Sequence, residues 1–356
     1  METPNHSDHQ HFLLFPFMAQ GHMIPMADMA ILFAQRGVHV SFITTPLNAS
    51  RVRPAIDHAS RCANLPIRLV ELRFLCAEAG LPEGYQNIDA IPHLGSMEYF
   101  KRFFEAIDLL KEPLERFLGK DDFFPPPTCV ISDKLLPFTQ DIARGVGIPR
   151  PMSLAGFAHF EGRAVKAEAE ADGVVVNSFD ELEAQFIEAY VKMIGKKAYN
   201  VGPLSLCKGG VQAERGNKLS IDQDKCLSWL DSHEPGSVVY VSFGSIARLG
   251  LQQAMEIGEA LKGSGRPVVW VIKLGETESW VSRFGEGLDW LVIVGWAPQV
   301  AILSHKKVGG FVTHCGWNLT VEALCAGVAM VMWPRFAEQF MNERVVVEVL
   351  PCWRLG

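Results

Sequence analysis

Gly310-Phe311-Val312-Thr313-His314-Cys315-Gly316-Trp317-Asn318 is the stretch on which the fold turns. A short strand ends at a histidine, passes through Gly316 and opens into a helix. The first N–H groups of a helix have no partner within it, and its dipole is positive at that end. With His314 and Asn318 as flanking donors, this joint predicts an anion site that suits a diphosphate. Glu322 stands four residues beyond Asn318 and shares its helix face. A carboxylate there is placed to accept from ribose hydroxyls, although the position alone reads equally as a solvated helix residue.

Working outward, the same strand–helix alternation runs the length of the chain. Before the joint come strands at Ser237 to Phe243, Pro267 to Lys273 and Trp290 to Val294, with a helix at Gln252 to Lys262. After it comes a strand at Ala329 to Trp333, then a helix over Ala337 to Leu350. In the first half, strands are expected at 11–17, 38–44, 66–74, 128–132 and 174–176. Helices are expected at 21–37, 97–118, 137–147 and 177–190. Such alternation implies parallel sheets covered on both faces. Between the halves, Val201 to Gln223 carries Gly202, Pro203, Gly209, Gly210 and Gly216 among polar residues and reads as a linker. The expected fold is therefore α/β, with two doubly wound parallel-sheet lobes. Ligands of such lobes bind at the carboxyl ends of strands, and the cleft between two lobes is the default site.

Three further strand ends are punctuated. Gln20-Gly21-His22 follows the first strand, and Ser132-Asp133 ends another in the same half. Alone, His22 reads as a helix-start residue and Asp133 as a helix N-cap. Together they form a candidate base and the carboxylate that orients it, since an Asp on one ring nitrogen fixes the tautomer and stabilises the imidazolium. Phe243-Gly244-Ser245 opens the second half with a small-residue turn that lets backbone approach a phosphate. Rival signatures are absent: no GxGxxG follows a strand, and there is no GxxxxGK[ST], HExxH or GxSxG.

Bulk properties narrow the class. The 356 residues are 48% hydrophobic and 21% charged, with net charge -7. An acidic chain is not built for nucleic acid or an anionic membrane, so neither is expected as a partner. The N-terminus lacks a basic start followed by an apolar core, and no apolar run is long enough for a bilayer, so no stable membrane insertion is expected. The cysteines at 62, 76, 129, 207, 226, 315, 325 and 352 form no CxxC pair. That scatter fits reduced thiols and a cytoplasmic location, and it lacks the ligand spacing of a zinc site.

These residues resemble a family. Trp296-Ala297-Pro298-Gln299, His314-Cys315-Gly316-Trp317-Asn318, Glu322, Pro334 and Glu338-Gln339 look like the signature box of the plant secondary-product UDP-glycosyltransferases. The span from Trp296 to Gln339 is 44 residues, the length that box shows. The opening 16–25, Ile131 to Asp133, Val175 to Glu183 and Val241 to Ser245 look like this family too. The resemblance implies the two-lobed glycosyltransferase B architecture, with an acceptor-binding lobe at 1–203, a linker at 204–222 and a UDP-sugar-binding lobe at 223–356. It implies that Trp296 stacks on uracil, with Gln299 at the uridine and Ala297 within the UDP-sugar site. Ser245, His314 and Asn318 would hold the diphosphate, Glu322 the ribose hydroxyls, and Glu338 and Gln339 the sugar, with Gly316 and Trp317 within the same UDP-sugar site. A final Gln implies glucose. His22 would take the proton from a hydroxyl of a small apolar plant metabolite, with Asp133 orienting it. The reaction inverts the anomeric carbon and needs no metal and no cofactor, the UDP-sugar being a co-substrate.

The chain departs from the family pattern in three places. Leu319 stands where the family has Ser, and one lost bond to a charged group costs about 1.5–3 kcal/mol. A stretch of acceptor-lobe helix and loop is missing at the junction of Phe160 and Glu161. After Leu350 only Pro351 to Gly356 remain, where the family continues with another strand and helices. These departures favour a second reading, a non-catalytic or unstable remnant that at most binds UDP. A third keeps the fold and changes the chemistry to sugar-nucleotide epimerisation, which would need no acceptor.

Overall fold

The computed structural model describes residues 10–91, 97–119, 125–154, 161–206, 215–247, 249–273, 280–281 and 284–350. The chain divides into two compact units, the break falling between Leu206 and Arg215.

The first unit holds strands β1 (His11–Phe15), β2 (His39–Thr44), β3 (Ile67–Glu71), β4 (Cys129–Asp133), β5 (Pro151–Leu154), β6 (Gly173–Val176) and β7 (Ala198–Asn200). Its helices are α1 (Gln20–Ala34), α2 (Pro46–Arg61), α3 (Met97–Asp108), α4 (Lys111–Leu118), α5 (Phe138–Gly145), α6 (Glu161–Glu170) and α7 (Asp180–Ile194). The sheet is parallel in the order β3-β2-β1-β4-β5-β6-β7. The strand order reverses between β1 and β4, and Phe15 lies opposite Ser132 across that pair. Residues just past Phe15 and Ser132 therefore emerge side by side at the point where doubly wound sheets bind ligands. β1 is apolar and nearly all buried, as expected of a central parallel strand. The main core packs Leu14, Phe42 and Ile131 of the sheet against α1 and α2.

The second unit holds α8 (Gln223–Asp231), β8 (Val238–Ser242), α9 (Leu251–Gly263), β9 (Val268–Ile272), β10 (Trp290–Val294), α10 (Gln299–Leu303), β11 (Val308–Thr313), α11 (Trp317–Ala326), β12 (Ala329–Met332) and α12 (Gln339–Arg344). Its parallel order is β10-β9-β8-β11-β12, with the reversal between β8 and β11. Each face carries its own core. Val238 and Tyr240 point to one, and Val241 points to the other with Trp270. This is the period-two alternation of a strand buried on both sides.

Most expected strands are present within a residue or two. The single helix expected over 97–118 is instead two, broken at Leu109 and Leu110. Pro113 is the cause, since its ring would clash with the carbonyl of Leu109 and it has no N–H to donate there. The helix expected to start at Ala337 starts at Gln339 and ends in a π-helical turn, Val345–Val349. The junction at Phe160 and the tail from Pro351 lie outside the described residues.

Candidate functional site

The first unit brings its two predicted residues together. His22 is the third residue of α1 and Asp133 the last of β4, and His22 Nδ1 lies 2.6 Å from Asp133 Oδ2. The pair is 111 residues apart in sequence and buried, with exposures of 4% and 0%. Neither residue acts as a helix cap. The N-cap of α1 is Ala19, without a side-chain cap bond, and that of α5 is Pro137. Asp133 Oδ1 accepts from the Leu135 N–H at 2.9 Å, which fixes the carboxylate plane. Beneath it Arg150 is fully buried. Its Nη2 donates to the Asp133 carbonyl at 3.0 Å and its Nε to Ser132 Oγ at 2.7 Å. Burial lowers the Arg150 pKa to about 10, against the opposing charges of Asp133 and Asp172. Phe17 meets the His22 ring edge-on, with centroids 5.3 Å apart.

The second unit gathers its predicted anion-site residues at its own switch point. Ser245 follows β8, His314 follows β11, and these strands are neighbours. His314 is clamped by the two glycines of the strand-end turns. A Cβ on Gly244, whose φ is +71°, would come within 2.5 Å of the ring, and one on Gly316 within 2.7 Å. Burial, then the charge of Lys273, lowers the His314 pKa to about 4, so the ring is neutral near pH 7. Its Nδ1 has no hydrogen-bond partner among the described residues. Lys273, at the end of β9, donates to the Ser245 carbonyl. At α11 the N-cap is Gly316, with no side-chain cap bond and no acidic residue in the first turn. A helix start of this kind, with its dipole positive, is chemically suited to an anion. Two of the three non-glycine residues with positive φ among the described residues sit here: Cys315 at +66° and Ala337 at +56°. Such backbone is costly and persists only where its surroundings hold it. Asn342 Nδ2 holds the first through the Cys315 carbonyl, at 2.9 Å.

Leu319 does not stand among these polar groups as an isolated apolar intruder. Its side chain is half-buried and packs against the core cluster of Tyr240, Ile302, Phe311 and Ala323. Glu338 is half-buried and Gln339 is 3% exposed. Gln339 Oε1 accepts from the N–H groups of Arg335 and Phe336 at 2.9 and 3.0 Å, closing the loop after β12. That assignment directs its amide nitrogen, a donor, to any further partner.

A second cluster gathers Trp296, Gln299 and Glu322. Gln299 Nε2 donates to Glu322 Oε2 at 2.6 Å, and Tyr240 Oη donates to Gln299 Oε1 at 3.4 Å. Arg215 Nη1 lies 3.1 Å from Glu322 Oε1, and the Arg215 carbonyl accepts from Trp296 Nε1 at 2.9 Å. Ala297 belongs to the apolar core, so only its backbone can serve a ligand. Trp317 and Asn318 open α11, half-buried. Sequence reasoning missed Arg215, Ser220, Lys273, Asn342 and Arg150. Only Lys273 carried a local signal, a cation at a strand end.

Two parallel α/β sheets, each with a polar cluster at its own reversal of strand order, define the glycosyltransferase B architecture. The solved structure of Glycyrrhiza uralensis UGT73P12 complexed with glycyrrhetinic acid 3-O-monoglucuronide matches with TM-score 0.84 at 31% identity, over 96% of this chain and 80% of that one. Arabidopsis thaliana UGT89C1 complexed with UDP-L-rhamnose matches with TM-score 0.83 at 31% identity, over 96% and 83%. The family model for UDP-glucoronosyl and UDP-glucosyl transferase matches residues 170–353. UDP-glycosyltransferase 73E1 of Stevia rebaudiana is 43% identical over 404 residues, covering 96% of this chain and 80% of the relative. UDP-glycosyltransferase 73C6 of Arabidopsis thaliana is 42% identical over 406 residues, with the same coverage. The chain belongs to the UDP-glycosyltransferase family, enzymes that transfer sugar from UDP-sugars. It is shorter than these relatives within the matched span itself. Ninety-six per cent of 356 residues is about 342, so about 60 of the 404 matched positions have no residue here. No helix among the described residues is long and apolar enough to cross a membrane.

Proposed function

We propose that this chain transfers glucose from UDP-glucose to a hydroxyl of a small apolar plant metabolite, with inversion at the anomeric carbon. His22 Nε2 takes the proton of the acceptor hydroxyl while the oxygen attacks the anomeric carbon. The bond from that carbon to the β-phosphate oxygen breaks, and UDP departs with the electron pair. Asp133 on Nδ1 holds the tautomer and stabilises the imidazolium. Charge growing on UDP is met by the start of α11, by His314 as a neutral donor and by Ser245 and Lys273, an electrostatic form of catalysis. Trp296, Ala297 and Gln299 receive the uridine, Glu322 the ribose, and Glu338 and Gln339 the sugar.

The observation that carries this reading is the 2.6 Å His22–Asp133 contact at the switch point of the first sheet. Relatives solved with quercetin and with glycyrrhetinic acid 3-O-monoglucuronide support a small plant metabolite as acceptor. One relative was solved with UDP-L-rhamnose, so the glucose assignment rests on Gln339 alone. A second reading, a chain that binds UDP without turnover, draws on the shortfall of about 60 positions and on Leu319.

Isothermal titration of UDP, followed by turnover with UDP-glucose and an acceptor panel, tests both. The wild-type chain is expected to bind UDP and turn over. His22→Ala should bind UDP equally and turn over on the order of 10²–10⁴-fold more slowly. Equal turnover by the variant would remove His22 from the chemistry. Binding without turnover by the wild type would favour the second reading.

A further inference from the structure

We propose that Arg215 is a positioning residue for ribose recognition, orienting Glu322 so that the site tells a ribonucleotide from its 2′-deoxy analogue. This rests on the reading of Glu322 as the ribose acceptor.

Arg215 lies in the glycine-rich stretch that reads as a linker, yet it is fastened to the second unit twice. Its guanidinium meets Glu322 Oε1 at 3.1 Å, with side-chain exposures of 13% and 8%. Its carbonyl accepts from the Trp296 indole at 2.9 Å. Five residues on, Ser220 bonds Trp296 both ways. The Ser220 N–H donates to the Trp296 carbonyl, and Ser220 Oγ accepts from the Trp296 N–H, each at 2.9 Å. Gly295 permits this closeness, since a Cβ there would fall 2.2 Å from Ser220 Oγ. Residues 215–220 thus form a strap across the Trp296 turn.

The geometry favours orientation over obstruction. An ionised carboxylate has about four acceptor sites. Arg215 takes one on Oε1 and Gln299 one on Oε2, which stops the group from rotating. One site per oxygen remains, the number that the adjacent hydroxyls of a ribose need. The relay back to Tyr240, whose phenol pKa is raised by burial, ends in a neutral donor and brings no further charge.

The test is calorimetric titration of UDP and 2′-deoxy-UDP into wild type, Arg215→Ala and Arg215→Lys. Alanine keeps the carbonyl that holds Trp296, so it removes the guanidinium and leaves the strap. Wild type is expected to favour UDP by on the order of tenfold, one good hydrogen bond to a charged group. In Arg215→Ala UDP should weaken until that preference is lost, with 2′-deoxy-UDP nearly unchanged. Arg215→Lys should restore part of the preference, and it serves alone should the alanine variant fail to fold. Equal weakening of both nucleotides would overturn the proposal, leaving Arg215 a general charge partner. Tighter UDP binding by Arg215→Ala would overturn it as well, marking Arg215 as an obstruction. A wild type that binds both nucleotides equally would sink the ribose assignment of Glu322 and this proposal with it. A wild type that binds neither would sink the donor site itself.

Discussion

His314 is a buried imidazole held neutral, which ties the stability of its unit to pH. Its pKa is about 4 in the folded chain, against an ordinary value near 6.5. The unfolded chain therefore binds a proton in a range where the folded chain does not. The stabilisation is complete above pH 6.5 and is lost as pH falls toward 4, by at most about 3 kcal/mol. Urea unfolding of wild type and His314→Gln at pH 7.5 and pH 5 should show wild type losing more on acidification. Parallel losses would mean that His314 does not govern this window. Leu319 poses the opposite trade. It gives up the hydroxyl that the family pattern offers to phosphate, and it packs against the core cluster that includes Ile302 and Phe311. Leu319→Ser should tighten UDP by about tenfold through a new bond to a charged group. It should also lower unfolding stability by about 1–2 kcal/mol through lost apolar burial. A substitution that leaves both affinity and stability unmoved would show that neither effect operates at this position.

At the scale of elements, two glycine turns and one histidine frame the proposed anion site, and the turns leave no room for a methyl group. Gly244→Ala adds a Cβ 2.5 Å from the His314 ring, on a backbone at φ +71° that alanine rarely adopts. Gly316→Ala adds one 2.7 Å from the same ring. Each should cost about 1–3 kcal/mol in stability and weaken UDP by at least tenfold as the ring is displaced. Thermal melts and titrations would check this, and unchanged UDP affinity in both variants would detach His314 from the diphosphate. Which elements could be read from the sequence follows a physical rule. Central strands such as β1, β4 and β8 were legible because burial on both faces leaves a short unbroken apolar run. α2 was not, because Arg51, Arg53, Pro54 and Asp57 dilute its apolar spacing. β7 is three residues long and sits at a sheet edge, so it carries almost no pattern. The site divides the same way. Groups at strand ends were visible where strand and helix meet, as with His22, Asp133 and His314, and Glu322 followed from its helical spacing to Asn318. Arg215 was hidden, because its partner lies 107 residues further on and its surroundings have the composition of a loop.

Over the whole molecule, net charge is -7 and the proposed donor is an anion, so attraction has to be local. On the proposed reading the second unit supplies it through Lys273 and the start of α11, both on one side of the chain division near residue 211, while Arg215 is neutralised by Glu322. The pair proposed to accept the proton, His22 and Asp133, lies wholly on the other side of that division. A ligand that binds only the folded second unit stabilises that unit by mass action, by about 2.7 kcal/mol at a hundredfold excess over its dissociation constant. Hydrogen exchange with and without UDP should therefore slow amides in β8 to β12 and in the 215–220 strap, where Trp296 and Glu322 are held. Amides of β1 and β4 should keep their rates, and His22→Ala should give the same map as wild type. Slowing that appears first or equally in β1 and β4 would mean that UDP is not held by the second unit alone. The proposed division of labour, nucleotide on one unit and proton transfer on the other, would then have to be abandoned.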